Sequence, residues 1–338
     1  MFRWLLALAI LVAAGCSAPP ASTSPQTPTE GNGPTTAVVA RPDIVPITPA
    51  PQPNLPVTVT DNQGTKVTVT SVDRTLAFDT YGTLAATVFG LGLGDKVVGR
   101  DTSTGFPAAK HLPVITANGH QLNAEAIMAL RPTVVITDTT LGPWDVVLQL
   151  RDSGIPVVVT DSKRTIDNVD DIAHQVAAAL GVPDAGARLV ERTTKEITEA
   201  KAAIANRANP EHKPRIVFLY LRGQAGVYYM FGRGSGVDSL IDAVGGVDVA
   251  SEVGLDGMKP VNPEALAGAR PDVILVMTKG LQSVGGVDGI LQLPGVAQTP
   301  AGQRRRVVDM DDTQILGFGP LTANVLDALA TALYGDVK

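Results

Sequence analysis

The sequence predicts an α/β protein built from two Rossmann-like lobes joined by a long helix. Three observations carry this. Short, unbroken apolar runs alternate with helical stretches along the chain, which is the pattern of βα units around a parallel sheet. One stretch returns at a fixed offset of 139 residues: Asn123-Ala-Glu125-Ala-Ile-Met-Ala-Leu-Arg131-Pro132 reappears as Asn262-Pro-Glu264-Ala-Leu-Ala-Gly-Ala-Arg270-Pro271. Between the two copies, residues 185 to about 206 read as one uninterrupted helix, long enough to be a rigid spine.

The elements follow in order. Residues 57–60 and 66–70 alternate strictly around Asp61-Asn62-Gln63-Gly64, a hairpin signal. Strands are expected at 75–78, 96–99, 133–137 and 156–160, with helices at 81–91, 123–130, 144–153 and 169–180. Gly90, Gly92 and Gly94 do not make a dinucleotide fingerprint, because Asp95 stands where the third glycine belongs. A second series has strands at 216–221, 273–277 and 306–308 and helices at 237–244, 263–267 and 321–334. In each repeat Asn is placed to cap a helix, Glu lies in its first turn, and Arg-Pro ends it before a buried strand.

Composition narrows the function. With 338 residues, a net charge of −6 and 18% charged residues, the chain is long enough for two domains and has no basic footprint for nucleic acid. Four histidines and one cysteine leave no intrachain disulfide and no Cys/His zinc cluster. No triad or nucleotide loop points to an enzyme. Gly232-Arg233-Gly234-Ser235-Gly236 is a helix start, since Arg233 occupies the place of a glycine in a nucleophile elbow.

Arg3, an apolar run over residues 5–14 and Ala13-Ala14-Gly15 read as a secretory signal peptide at 1–15. The box resembles a bacterial lipoprotein signal, which implies lipidation of Cys16 and an anchor at the outer face of the plasma membrane. The run is too short to span a bilayer. Residues 16–56 hold eleven of the 25 prolines and are expected to be a disordered tether. The folded part is then expected as a first lobe at 57–183, a spine at 184–210 and a second lobe at 211–338.

The stretch Arg215-Ile-Val-Phe-Leu-Tyr220-Leu-Arg222-Gly223 reads as a strand buried on both faces. Ligands of open α/β sheets sit beyond the carboxyl ends of the strands, where Tyr220 and Arg222 fall. Side chains two apart on a strand share a face, so a phenol and a guanidinium look into one cleft. A cation beside a phenol favours the phenolate, a hard anionic ligand for ferric iron. The residues alone leave open whether Tyr220 is such a ligand or a strand-end tyrosine whose hydroxyl bonds Arg222.

The signal, tether, lobes, spine and repeat together resemble the substrate-binding proteins of ABC importers. The match is to the class III periplasmic-binding-protein fold, which carries haem, siderophores or cobalamin. Asn118-Gly119-His120-Gln121, Tyr220-Leu221-Arg222-Gly223, Gly257-Met258-Lys259-Pro260 and Gly317-Phe318-Gly319-Pro320 most resemble the HmuT-type haem-binding lipoproteins of Gram-positive haem importers. The resemblance implies His120 and Tyr220 as axial iron ligands, one per lobe, with Arg222 bonding the tyrosine oxygen. It implies Glu125 and Glu264 as docking carboxylates for the permease; each also complements a helix dipole by about 0.3–1 kcal/mol.

Related haem binders place a tyrosine in a loop that here reads Asp101-Thr-Ser-Thr-Gly-Phe106-Pro107, and Phe106 cannot ligate. Leu219, Leu221, Met258, Val284 and Phe318 are candidates for the apolar porphyrin walls or for plain core. Arg233, Lys259 and Lys279 stay open as propionate partners. His111, His174 and His212 are expected at the surface, Tyr228 and Tyr229 are strand and wall residues either of which could replace a ligand, and Arg304-Arg305-Arg306 is expected as a solvated strand edge. The expectation is a monomeric receptor of ferric haem that is not an enzyme, with a ferric-siderophore or cobalamin binder of the same fold as the alternative.

Overall fold

The computed structural model describes residues 33–117 and 119–335. Cys16 and the expected signal peptide lie outside the described residues. Among the described residues no helix is long and apolar enough to cross a membrane.

The first lobe is a four-stranded parallel sheet in the order Val97–Gly99, Thr75–Phe78, Val134–Thr137, Val157–Val159. The last three are buried along their whole length, as strands covered by helices on both faces must be. The hairpin Val57–Thr60 with Lys66–Val69 forms where the alternation placed it. It is tied to the sheet edge by the Asn62 amide, which donates to the Val159 carbonyl at 2.8 Å, and by an Arg151–Asp61 ion pair at 3.0 Å.

The second sheet has seven strands. Its order is Thr35–Ala37, Val307–Met310, Val273–Met277, Arg215–Arg222, Val227–Phe231 and Met258–Pro260, with Val247–Asp248 pairing the start of Arg215–Arg222. The strands from Thr35–Ala37 through Arg215–Arg222 are parallel, and Val227–Phe231 and Met258–Pro260 add an antiparallel extension. The parallel pairing of Arg215–Arg222 with Val273–Met277 stops at Leu219 opposite Val276. Tyr220 to Arg222 therefore run past the parallel sheet, paired only with Val227–Phe231.

The repeat holds at the level of atoms. The Asn123 side chain accepts from the Ala126 amide at 3.0 Å, opening helix Ala124–Ala129. The Asn262 side chain accepts from the Glu264 and Ala265 amides, both at 3.0 Å, opening helix Pro263–Ala269. Both helices end on an arginine in the left-handed region, Arg131 at φ 45° and Arg270 at φ 50°. The spine is helix Pro183–Arg207, 25 residues, about 37 Å at 1.5 Å per residue. Its buried stripe of Leu189, Thr193, Ile197 and Ile204 packs on helix Val169–Ala179 of the first lobe and helix Thr322–Tyr334 of the second.

The expectation of a disordered tether through residue 56 is corrected for residues 33–56. Thr35–Ala37 joins the second sheet beside Val307–Met310, and the Thr36 hydroxyl donates to Asp309 at 2.8 Å. The chain then crosses to the first lobe: Arg192 of the spine donates to the Val45 carbonyl at 2.8 Å, and the Ile47 amide donates to the Gly90 carbonyl at 2.7 Å. Gly92 (φ 90°) is required here, since a Cβ would stand 2.0 Å from the Thr48 carbonyl oxygen. Ala37, Val39 and Ile44 are buried. Proline-rich composition misled because prolines fit a chain that lies flat on a surface as well as a free one. The first-lobe boundary at 57 and the start of the second lobe at 211 therefore omit a segment that both lobes share.

The arginine run is also corrected. Arg304 and Arg305 pair with Asp272 and Asp288 at the surface. Arg306 is buried, and donates to the Ala332 carbonyl at 2.7 Å and the Leu333 carbonyl at 3.2 Å near the end of helix Thr322–Tyr334. It satisfies helix-end carbonyls that have no partner within the helix.

Candidate functional site

Because strand side chains alternate, Phe218, Tyr220 and Arg222 share one face of their strand, while Leu219 and Leu221 are buried on the other. Leu219 and Leu221 are thus core, and no part of a cleft wall. On the neighbouring strand Tyr229 lies directly opposite Tyr220, and Phe231 opposite Phe218. The Phe231 ring stacks on Tyr220 with centroids 6.0 Å apart and planes 22° apart. Met258 pairs with Phe231 from the edge strand and is 51% exposed. It is an apolar side chain on the aromatic face, open to solvent.

Arg222 meets Tyr220 differently from the expectation. Its guanidinium carbon lies 4.3 Å from the Tyr220 ring centroid, over the ring and not at the hydroxyl. It donates to the Leu221 carbonyl at 2.9 Å, approaches Met277 Sδ at 3.9 Å and pairs with Asp312 at 3.3 Å. A carboxylate outcompetes a phenol for a guanidinium, and Asp312 is within reach. The Tyr220 hydroxyl has no hydrogen-bond partner among the described residues, which leaves its lone pairs free.

His120 comes from the other lobe. It sits on the tight turn joining Thr116–Ala117 to Gln121–Leu122, next to Gly119 at φ 90°. Partial burial lowers the imidazole pKa below its ordinary value, and the Arg222 charge lowers it further. His120 is therefore neutral at neutral pH, with a nitrogen lone pair available for a metal. The charge of Arg222, from the second lobe, thus reaches the His120 imidazole.

Phe318 is corrected. It is 3% exposed within the core between the second sheet and helix Thr322–Tyr334, so it packs and lines nothing. Val284 likewise packs against the second-lobe core. Phe106 is buried with its ring edge-on to Phe89 at 4.9 Å. His111, His174 and His212 are exposed. Arg233 pairs with Asp256 at 3.4 Å, whereas Lys259 and Lys279 have no ion pair among the described residues. Glu125 and Glu264 each lie in the first turn of a repeat helix, exposed and without a protein partner among the described residues.

Sequence reasoning missed a buried charge cluster at the carboxyl ends of the first lobe's strands. Arg164 pairs with Asp79 at 3.1 Å and Asp138 at 2.7 Å, and Asp101 accepts from the Asp79 amide at 3.0 Å. All four residues are buried. Burial, with the Asp79 charge next, pushes the Asp101 carboxyl up to about 7 and Asp138 up to about 6; Asp79 is raised too, chiefly by burial. A signal was present: Phe78-Asp79 and Thr137-Asp138 each put an acid directly after a buried strand. The cluster abuts the second lobe. Gly236 (φ 89°) lies so near that a Cβ would stand 2.1 Å from the Arg164 carbonyl oxygen, and the Ile166 amide donates to the Ser239 hydroxyl at 3.2 Å.

The family model for periplasmic binding proteins matches residues 80–313. The crystal structure of the heme binding protein HmuT superposes with a TM-score of 0.86 at 41% identity, over 90% of this chain and 98% of that one. The periplasmic heme-binding protein RhuT from Roseiflexus sp. RS-1, in apo form, gives a TM-score of 0.71 at 40% identity, over 77% of this chain and 98% of that one. The uncharacterized ABC transporter substrate-binding lipoprotein YvrC of Bacillus subtilis (strain 168) is 23% identical over 284 residues, 83% of this chain and 86% of its own length. With its two α/β lobes, its spine helix and a family match over most of its length, the chain belongs to the periplasmic binding proteins, in the class with a rigid inter-lobe helix.

Proposed function

We propose that this chain is the extracytoplasmic receptor of an ABC importer and captures ferric haem between its lobes. One observation carries the reading: a phenol whose hydroxyl has no hydrogen-bond partner among the described residues, Tyr220, stands beside a guanidinium at the sheet's carboxyl edge, and the charge of that guanidinium also reaches the imidazole of His120. Tyr220 supplies the anionic ligand and His120 the neutral one. A free phenol has a pKa of about 10, so holding one as phenolate at neutral pH needs about 4 kcal/mol, which iron and an adjacent cation supply together. Such a pair favours ferric over ferrous iron, and tyrosinate ligation of haem has precedent. Met258, exposed on the edge strand, offers apolar contact for the porphyrin. Similarity to HmuT and RhuT, both described as heme-binding, supports haem over a siderophore.

Glu125 and Glu264 are the docking pair for the permease, one exposed carboxylate on each lobe at equivalent places in the repeat. Cys16 is the site of lipidation that holds the monomeric receptor at the membrane's outer face; the likeness to a substrate-binding lipoprotein supports this. No turnover is involved; the chemistry is binding and release.

The test is a titration of the chain from residue 33 onward with haemin and, separately, with ferric siderophores, followed by absorption. A saturable one-to-one Soret shift with haemin, and no response to siderophores, is expected. Saturable siderophore binding without a Soret shift would overturn the haem reading. Reversing the charges of Glu125 and Glu264 together is expected to abolish import and leave that titration unchanged.

A further inference from the structure

The described chain crosses between the lobes along the spine and again at Pro42. Up to Arg41 the early segment belongs to the second lobe. Arg306 donates to the Thr35 hydroxyl at 2.9 Å, the Arg41 guanidinium donates to the Asn324 side-chain oxygen at 3.4 Å, and the Asn324 amide donates back to the Arg41 carbonyl at 3.2 Å. From Asp43 onward it belongs to the first lobe. The Asp43 carboxylate accepts the Ala108 N–H at 3.1 Å, and the Asn54 N–H donates to the Gly181 carbonyl at 2.8 Å. Gly181 (φ 69°) is fitted to that contact, since a Cβ there would stand 2.7 Å from the Asn54 carbonyl oxygen.

Three features make this crossing taut. Its anchors, Arg41 and Asp43, are two residues apart, and two residues span at most about 7 Å, so the segment has little slack. Ile44, next in the chain, is 8% exposed among Ala86, Phe106 and Ala109 of the first lobe and Leu321 of the second, so parting the lobes here exposes apolar surface. The crossing also lies beside the spine, whose Arg192 donates to the Val45 carbonyl. Lobes joined by one helix can twist about it; a second, short connection alongside opposes that motion.

We propose that residues 33–56 are a strap which, with the spine, fixes the spacing of the lobes and keeps the cleft set for its ligand before the ligand arrives. The action on lobe spacing needs no ligand. The consequence for affinity rests on the haem reading.

The test slackens the strap and keeps its contacts, in the chain from residue 33 onward. About six Gly and Ser residues inserted between Pro42 and Asp43 add roughly 20 Å of chain and leave the anchors on both sides in place. The reporter is the Ile166 N–H, which crosses the junction to the Ser239 hydroxyl. Hydrogen exchange followed by NMR reads how often it opens. The insertion should speed Ile166 exchange by about ten-fold and leave the Ile136 and Leu275 amides, inside the two sheets, unchanged. Asp43→Ala, which removes the first anchor past the crossing, should act in the same direction and by less. Affinity for haemin should fall about ten-fold on insertion, as it does when the binding-competent spacing is populated a tenth of the time. Unchanged Ile166 exchange, or equal acceleration at all three amides, would overturn the proposal, because the segment would then only cover each lobe or stabilise the fold as a whole. Faster Ile166 exchange with unchanged haemin affinity would overturn the part about the cleft. If the chain without the insertion takes up no haem, the haem reading fails, and the exchange comparison alone decides the strap.

Discussion

The two lobes finish their sheets in opposite ways. At the carboxyl ends of its strands the first lobe buries charge: Asp79, Asp101 and Asp138 surround Arg164 beneath the second lobe. At the equivalent edge the second lobe presents Tyr220, Tyr229 and Arg222, partly open to solvent, beside the buried ring of Phe231. One edge is sealed and the other left open for a ligand. The difference shows how a duplicated plan can divide its labour. The sealed edge joins the lobes through the Ile166–Ser239 hydrogen bond beside it, and the open edge keeps the Tyr220 hydroxyl without a hydrogen-bond partner among the described residues. His120 stands on a short turn outside the first lobe's sheet.

The largest effect on stability should come from the sealed edge. Arg164→Ala leaves the acids without their cation and should cost about 3–5 kcal/mol in denaturant unfolding, as breaking a buried pair does. The matching change at the open edge, Arg222→Ala, should cost less than about 1 kcal/mol, because its pair is partly exposed. Equal costs would show that the two edges are not built differently.

Next comes the segment both lobes share. Ile44→Ala should lower stability by roughly 2–4 kcal/mol, since Ile44 is buried against Phe106, Ala109 and Leu321. A cost near zero would return residues 33–56 to the status of a tether.

The sealed edge also has a pH signature. A carboxyl held above its ordinary value keeps its proton in the folded chain at a pH where the unfolded chain has lost it. Stability therefore falls as pH rises from 3.8 to about 7 through Asp101, and to about 6 through Asp138. The melting temperature should be several degrees higher at about pH 5 than at about pH 8, and Asp101→Asn should flatten the difference. A profile that rises with pH through this range would contradict the assignment. The smallest effects should be the caps: Asn123→Ala and Asn262→Ala should each cost about 1 kcal/mol, alike because the repeat is alike.

Much of this was legible in the sequence. Strands 133–137 and 273–277, the spine and the paired caps follow from apolar runs, length and the 139-residue repeat. So does the place of Tyr220 and Arg222, because strand alternation and the carboxyl-end rule are local. What failed was long-range. Thr35–Ala37 pairs with a strand 273 residues away, and nothing within three residues announces that. Asp312 reaches Arg222 across the sheet from another loop, so Arg222 was expected at the hydroxyl. Phe318 was open between porphyrin wall and plain core in the sequence, and its ring turns into the core.

The most direct test of the account is the absorption spectrum of ferric haem bound to the wild-type chain beside Tyr220→Ala and His120→Ala. The account expects the wild-type Soret band to be altered in both variants, with the greater loss of affinity in Tyr220→Ala, which removes the anionic ligand. A wild-type spectrum in both variants would show that haem, if bound, is held elsewhere, and the cleft between Tyr220 and His120 would lose its assigned role.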